Sequence, residues 1–77
     1  MVLERVISLI VSQFCVEEDQ VDEDTSFKSL EADEQDFEDF VRAVEDEFDI
    51  VFNDDEVYKL NCVADVVEIV EKAIRNL

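Results

Sequence analysis

The residues with the most evident chemical potential in this chain are its carboxylates. Asp and Glu together number 23, Lys and Arg only six, and histidine is absent. Acid and base catalysis by carboxylates needs two of them with separated pKa values in one pocket. Here they fall on stripes that a helix would turn to solvent, and no imidazole is present to move a proton near neutral pH. Calcium is the next candidate, because Asp22, Asp24 and Ser26 stand at alternate positions. An EF-hand loop also needs glycine at its sixth position and glutamate at its twelfth. Phe27 and Asp33 hold those places, so no specific metal site is expected. Cys15 and Cys62 lie 47 positions apart with no metal-ligand neighbours, and no adjacent cation activates the Cys15 thiol. Both read as small buried apolar residues of a reducing compartment, left unpaired. A chain without glycine cannot build a phosphate-cradling loop either. Enzymatic activity is therefore not expected.

What remains is charge, and its placement. Nineteen of the acids and only two bases, Lys28 and Arg42, fall between residues 17 and 56, so that stretch carries the entire net charge of −17. The flanks balance, with Glu4, Asp65, Glu68 and Glu71 against Arg5, Lys59, Lys72 and Arg75. Such a field repels nucleic-acid phosphates and anionic membranes, and steers the chain toward basic protein surfaces. The apolar share of 48% is too high for a disordered acidic tail and suffices for one small core. The apolar run Val6 to Val11 is too short for a membrane span of ~20 residues and has no cleavage site after it. A single domain over residues 1–77, cytoplasmic and monomeric, is expected.

The elements that position these residues must be helices. Glycine and proline are both absent, so hairpin turns have no candidates and nothing interrupts a helix. Leu3, Ile7, Ile10 and Phe14 recur at helical spacing, with Val6 and Val11 widening the stripe, and the run ends near Cys15. An acidic connection then extends to Asp33, anchored by Val21 and Phe27. It is longer than the ~12–15 residues usual for a structureless connection, which marks it as functional or family-specific. Asp33 is placed to cap a second helix, with Asp36 three residues on. Phe37, Phe40, Val41, Val44 and Phe48 form that helix's apolar stripe, and its other face carries Glu38, Asp39, Arg42, Glu45 and Asp46. Glu45 to Glu47 in the last turn oppose the helix dipole, a local conflict of the kind that accompanies function. Ile50-Val51-Phe52 reads as a buried connector. Asn53 with Glu56 forms a capping box for a short third helix, with Val57 and Leu60 facing inward. Asn61 is placed to cap the last helix, whose stripe is Val63, Val66 or Val67, Val70 and Ile74.

One segment carries a family pattern. Phe27-Lys28-Ser29-Leu30-Glu31-Ala32-Asp33-Glu34-Gln35 resembles Phe-x-x-Leu-Gly-x-Asp-Ser-Leu of the acyl and peptidyl carrier proteins, in which the serine carries 4′-phosphopantetheine. The stretch from Val41 to Phe48 is similar to the family's second helix. Phe52-Asn53-Asp54-Asp55-Glu56 and Asn61-Cys62-Val63 are similar to the entries of its third and fourth helices. The resemblance spans nearly the whole chain and implies a small all-α, acyl-carrier-like four-helix bundle, three helices longer and one short.

The departures from that pattern define the functional expectation. Glu34 stands where the resemblance implies the attachment serine, Gln35 replaces a leucine that helps partners dock, and Glu31 replaces a loop glycine. Arg42 sets a cation inside the acidic face that partners of the family read. No covalent cofactor is expected, and 4′-phosphopantetheine enters only if Glu34 is an engineered replacement or a nearby hydroxyl, Ser29 or Ser26, accepts it. The resemblance then implies an interaction module that docks on a carrier-dependent enzyme of lipid or secondary-metabolite synthesis. Its docking face would comprise Asp33, Glu34, Gln35, Asp36, Glu38, Asp39, Arg42, Glu45 and Asp46. Ordinary acyl or peptidyl carriage and acidic mimicry of nucleic acid are the alternatives. Phe37 and Phe40, with Phe48 and Phe52 nearby, either fill the space in which family members hold an acyl chain or are ordinary core residues.

Overall fold

A computed structural model describes residues 1–75. The chain folds into α1 (Val2–Phe14), a 3-10 turn (Glu18–Gln20), α2 (Glu34–Phe48), α3 (Asp54–Tyr58) and α4 (Val63–Arg75). Three helices are long and α3 has a single turn and a half, as the apolar periodicity requires. The four-helix expectation holds, and among the described residues no strand forms beyond one isolated bridge.

α1 packs on both α2 and α4. Val6 and Ile10 of α1, Phe40 and Val44 of α2, and Val63, Val66 and Val70 of α4 are fully buried. Burial stabilises each such side chain by roughly 1.5–3 kcal/mol, which makes this set the main cohesive element of a small core. The α1 stripe therefore centres on Val6 and Ile10, while Leu3, Ile7 and Phe14 only flank it. On α4, Val66 rather than Val67 takes the central place, and Ile74 lies at the helix end with 39% of its surface exposed.

The long connection folds without glycine or proline by using side chains in their place. Asp22 Oδ1 accepts from the Asp24 amide at 2.9 Å, and the Asp22 amide donates to Thr25 Oγ1 at 2.9 Å. Ser26 and Ser29 close the next turn: Ser29 Oγ donates to the Ser26 carbonyl at 2.7 Å, and the Ser29 amide donates to Ser26 Oγ at 3.1 Å. These are the local side-chain bonds by which Asp and Ser favour turns. Val21 and Phe27 are buried, as their isolated apolar character required.

The connection also completes α4. The first amides of any helix lack partners within it. Here the Val63 amide donates to the Thr25 carbonyl at 3.0 Å and the Ala64 amide to the Glu23 carbonyl at 2.9 Å. The Phe27 amide donates back to the Asn61 carbonyl at 3.0 Å, and Ser26 and Cys62 form an antiparallel bridge. That bridge holds residues 61 and 62 outside the helix, so Asn61 is not the cap expected of it. Asp65 reaches back instead, its carboxylate accepting from the amides of Asn61 at 2.9 Å and Cys62 at 3.1 Å.

Other expectations are met or adjusted locally. Asp33 caps α2 by accepting from the Asp36 amide at 2.8 Å. Asn53 and Glu56 form a reciprocal capping box on α3. The connector between α2 and α3 buries Ile50 and Phe52 but leaves Val51 85% exposed, because successive residues of extended chain point to opposite sides. Cys15 is exposed rather than buried, since it ends α1 in the left-handed conformation at φ 55° and so leaves the apolar stripe; Cys62 is half-buried, and both thiols are free. No described helix is long and apolar enough to cross a membrane.

Candidate functional site

The start of α2 is where sequence and structure converge. Glu34 is its first helical residue, directly after the cap Asp33, and both are exposed. A carboxylate suits the positive end of the helix dipole. The preceding loop is held over this end by Phe27, whose ring lies 5.2 Å from Phe37 edge-on and 5.4 Å from Phe40. Phe40 in turn meets Phe14 of α1 at 5.7 Å. Four aromatic rings thus fix the loop, α1 and the first two turns of α2 in one orientation.

Two open clefts flank Glu34. One, about 260 Å³, is lined by Phe27, Lys28, Ala32, Asp33, Phe37 and Leu60 as well as Glu34. The other, about 350 Å³, lies between α2 and α3. Phe40, Phe48 and Phe52 are core residues. Phe37 is half-buried and walls both clefts, so it does not plug the space between α2 and α3.

The nine residues expected to form a docking face run along α2 from its cap, Asp33, to Asp46 in its last turn. Asp33, Glu34, Gln35, Asp36, Glu38, Asp39, Arg42 and Asp46 are exposed. Gln35 Nε2 donates to Asp39 Oδ1 at 3.1 Å, one turn away. Arg42 makes no ion pair among the described residues. Glu45 stands apart from this group. It is half-buried, and its Oε2 accepts from the Phe52 amide at 2.8 Å, tying the end of α2 to the connector before α3. Its carboxylate therefore has a structural partner already.

Asp65 is held below its ordinary value of 3.8 chiefly by the Asn61 amide, against an opposing effect of burial, with the Cys62 amide adding a smaller lowering. Its place is structural, at the N-terminus of α4. No group of three or more metal-ligating side chains occurs among the described residues, and Asp22, the first residue of the incomplete EF-hand pattern, turns its carboxylate onto its own loop. Tyr58 was not among the residues the sequence singled out. Val57 is half-buried on α3 and Leu60 is buried just past its end, so position 58 faces out, and the tyrosine stands beside the α2–α3 cleft with 86% of its surface exposed.

Comparison with known proteins agrees with this geometry. Residues 4–70 match the family described as "Phosphopantetheine attachment site". The chain is 47% identical over 70 residues to an acyl carrier protein of Akkermansia muciniphila, covering 90% of this chain and 88% of that one. Its fold is similar to the crystal structure of an acyl carrier protein from Thermotoga maritima, with a TM-score of 0.80 and 30% identity, covering 95% of this chain and 86% of the other. With a profile match over most of its length, a relative at nearly half identity and the four-helix fold in common, this chain belongs to the acyl carrier protein family, the proteins defined by a phosphopantetheine attachment site.

Proposed function

We propose that this chain is a member of its family that acts by contact, without a covalently held phosphopantetheine arm. It docks through α2 on a basic surface of a carrier-dependent enzyme of lipid or secondary-metabolite synthesis, as a cytoplasmic monomer and not as a catalyst. The observation that carries this reading is the exposed Glu34 carboxylate at the first position of α2, in the place that corresponds to the attachment serine in the family's pattern. Phosphopantetheinyl transfer needs a hydroxyl, and α2 contains no Ser, Thr or Tyr at all. The nearest upstream hydroxyls, Ser26 and Ser29, are engaged with each other's backbone in a turn. The acidic stripe of α2 supports docking, since clustered charge raises association rate and selects among partners.

Ordinary carriage is the second reading, favoured by the family match over residues 4–70 and by the exposure of Ser29. One experiment separates the two. The protein is incubated with coenzyme A and a broad-specificity phosphopantetheinyl transferase, and its intact mass is measured. No adduct is expected, while the Glu34→Ser variant gains one phosphopantetheine. An adduct on the unaltered chain would establish carriage and overturn the contact-only reading.

A further inference from the structure

The start of α4 and the start of α2 are joined through one carboxylate. Asp65 Oδ2 accepts from the amides of Asn61 at 2.9 Å and Cys62 at 3.1 Å, and so fixes two residues of the turn between α3 and α4. The Asn61 carbonyl in turn accepts from the Phe27 amide at 3.0 Å, and Ser26 pairs with Cys62 beside it. Phe27 lays its ring against Phe37 and Phe40 of α2, at 5.2 Å and 5.4 Å. Leu60, directly before Asn61, is buried and shares with Phe27 and Phe37 the walls of the cleft beside Glu34. Asp65 does not line that cleft.

We infer that Asp65 is a positioning residue for the candidate site, acting on the first turn of α2 through the Asn61 carbonyl and Phe27. The long connection, the start of α4 and the start of α2 then open as one unit or not at all. The reason lies in the backbone bonds. The Val63 amide donates to the Thr25 carbonyl and the Ala64 amide to the Glu23 carbonyl, and Val63 is fully buried. Swinging the connection away would leave the Val63 amide with neither a helical partner nor water, a state that folded proteins avoid. The same movement would pull the Phe27 ring off Phe37 and Phe40. Bonds that can break only together define a local cooperative unit. Asp65 anchors this one from the α4 side, because without its carboxylate residues 61 and 62 lose the acceptor that holds them in register with the connection. The coupling is independent of the choice between contact and carriage, since both use the same end of α2.

Native-state hydrogen exchange on the ¹⁵N-labelled full-length chain tests this. The unaltered protein is compared with Asp65→Ala, Asp65→Asn and Arg5→Ala, the last removing an ion pair to Glu47 at the opposite end of α2. In Asp65→Ala the amides of Phe27, Val63 and Ala64 should lose protection by about tenfold, the scale of a lost helix cap. The amides of Asp36 and Phe37, both bonded to Asp33, should lose protection with them. Asp65→Asn keeps an acceptor oxygen without the charge, so it should show the same pattern at smaller size, and it carries the comparison if the alanine variant does not fold. Arg5→Ala should act on the last turn of α2 and spare these amides. In a Phe27→Leu background, which keeps the amide bond and removes the ring, Asp65→Ala should still act on Val63 and Ala64 but no longer reach Asp36 and Phe37. Protection lost evenly along the chain, alike in Asp65→Ala and Arg5→Ala, would mean that only global unfolding is felt and would overturn the inference. Loss at Val63 and Ala64 with Asp36 and Phe37 unmoved, Phe27 being intact, would overturn it equally.

Discussion

Arg5 of α1 clasps the C-terminal end of α2 at Glu47. Its Nη2 lies 2.6 Å from Glu47 Oε2 and donates at 3.4 Å to the Glu47 carbonyl, and its Nε donates to the same carboxylate at 3.1 Å. The guanidinium also lies 4.6 Å from the centre of the Phe48 ring. Glu45 to Glu47 oppose the α2 dipole when read along the helix alone. The fold answers that conflict with a cation from another helix, placed against the carboxylate and against a terminal carbonyl that lacks a helical partner. Local disharmony at this position is thus repaired by tertiary structure and needs no functional explanation.

Arg5→Ala is accordingly expected to destabilise the protein by about 1 kcal/mol, combining an exposed ion pair with a partly exposed cation–π contact. In a domain of this size that lowers the melting temperature by roughly 4–8 °C. Arg5→Lys should recover only part, because an ammonium cannot bond the carboxylate and carbonyl in a fork while covering the ring. Thermal melts of the three proteins check this; equal stability of the alanine variant would show that the clasp contributes nothing in solution.

Glu31 occupies the left-handed region at φ 56°, at the position where the family pattern has glycine. A residue with a Cβ pays roughly 1–2 kcal/mol there, partly returned by the lower entropy of its unfolded chain. Glu31→Gly should therefore stabilise by up to about 1 kcal/mol. Asp33→Ala, two residues on, should cost about 1 kcal/mol through loss of the cap on α2. Urea midpoints that move in the same direction for both variants would contradict this account.

The depressed pKa of Asp65 gives stability a definite pH dependence. Its carboxylate is favoured in the fold by the Asn61 and Cys62 amides, so its contribution is present above the unfolded value near 3.8 and is lost as pH falls through the lower folded value. The difference in melting temperature between the native protein and Asp65→Asn should be constant from neutral pH down to the ordinary carboxylate range, then close below it. A gap that instead widens in acid would reverse the sign assigned here.

Self-repulsion acts in the opposite direction over a wider range. A net charge of −17 on 77 residues destabilises the compact state, and salt relieves it. Sodium chloride also screens the Arg5–Glu47 pair, but one exposed ion pair is small beside an excess of seventeen charges. The melting temperature should rise with sodium chloride and more steeply with magnesium or calcium. A melt indifferent to all three would show the repulsion to be compensated within the fold.

Period and punctuation in the sequence determined the helices. Apolar residues three and four apart can share a face only on a helix, and no glycine or proline is present to break one, so α1, α2 and α4 were legible along with the caps Asp33 and Asn53. The family pattern around Asp33 and Glu34 was legible for a related reason: short motifs depend on neighbours in the chain.

Only tertiary structure decided what depends on distant neighbours. The clasp between Arg5 and Glu47 joins residues 42 positions apart, and no local rule relates them. Asn61 carries a good capping side chain, yet the bridge from Ser26 to Cys62 holds it outside α4 and hands the task to Asp65. Glu45 looked like one more surface acid until the connector folded back and placed the Phe52 amide against it. Cys15 looked apolar and inward until the left-handed turn that ends α1 put it in water. In each case the backbone donors and acceptors that had to be satisfied belonged to another segment, and only packing brought them within reach.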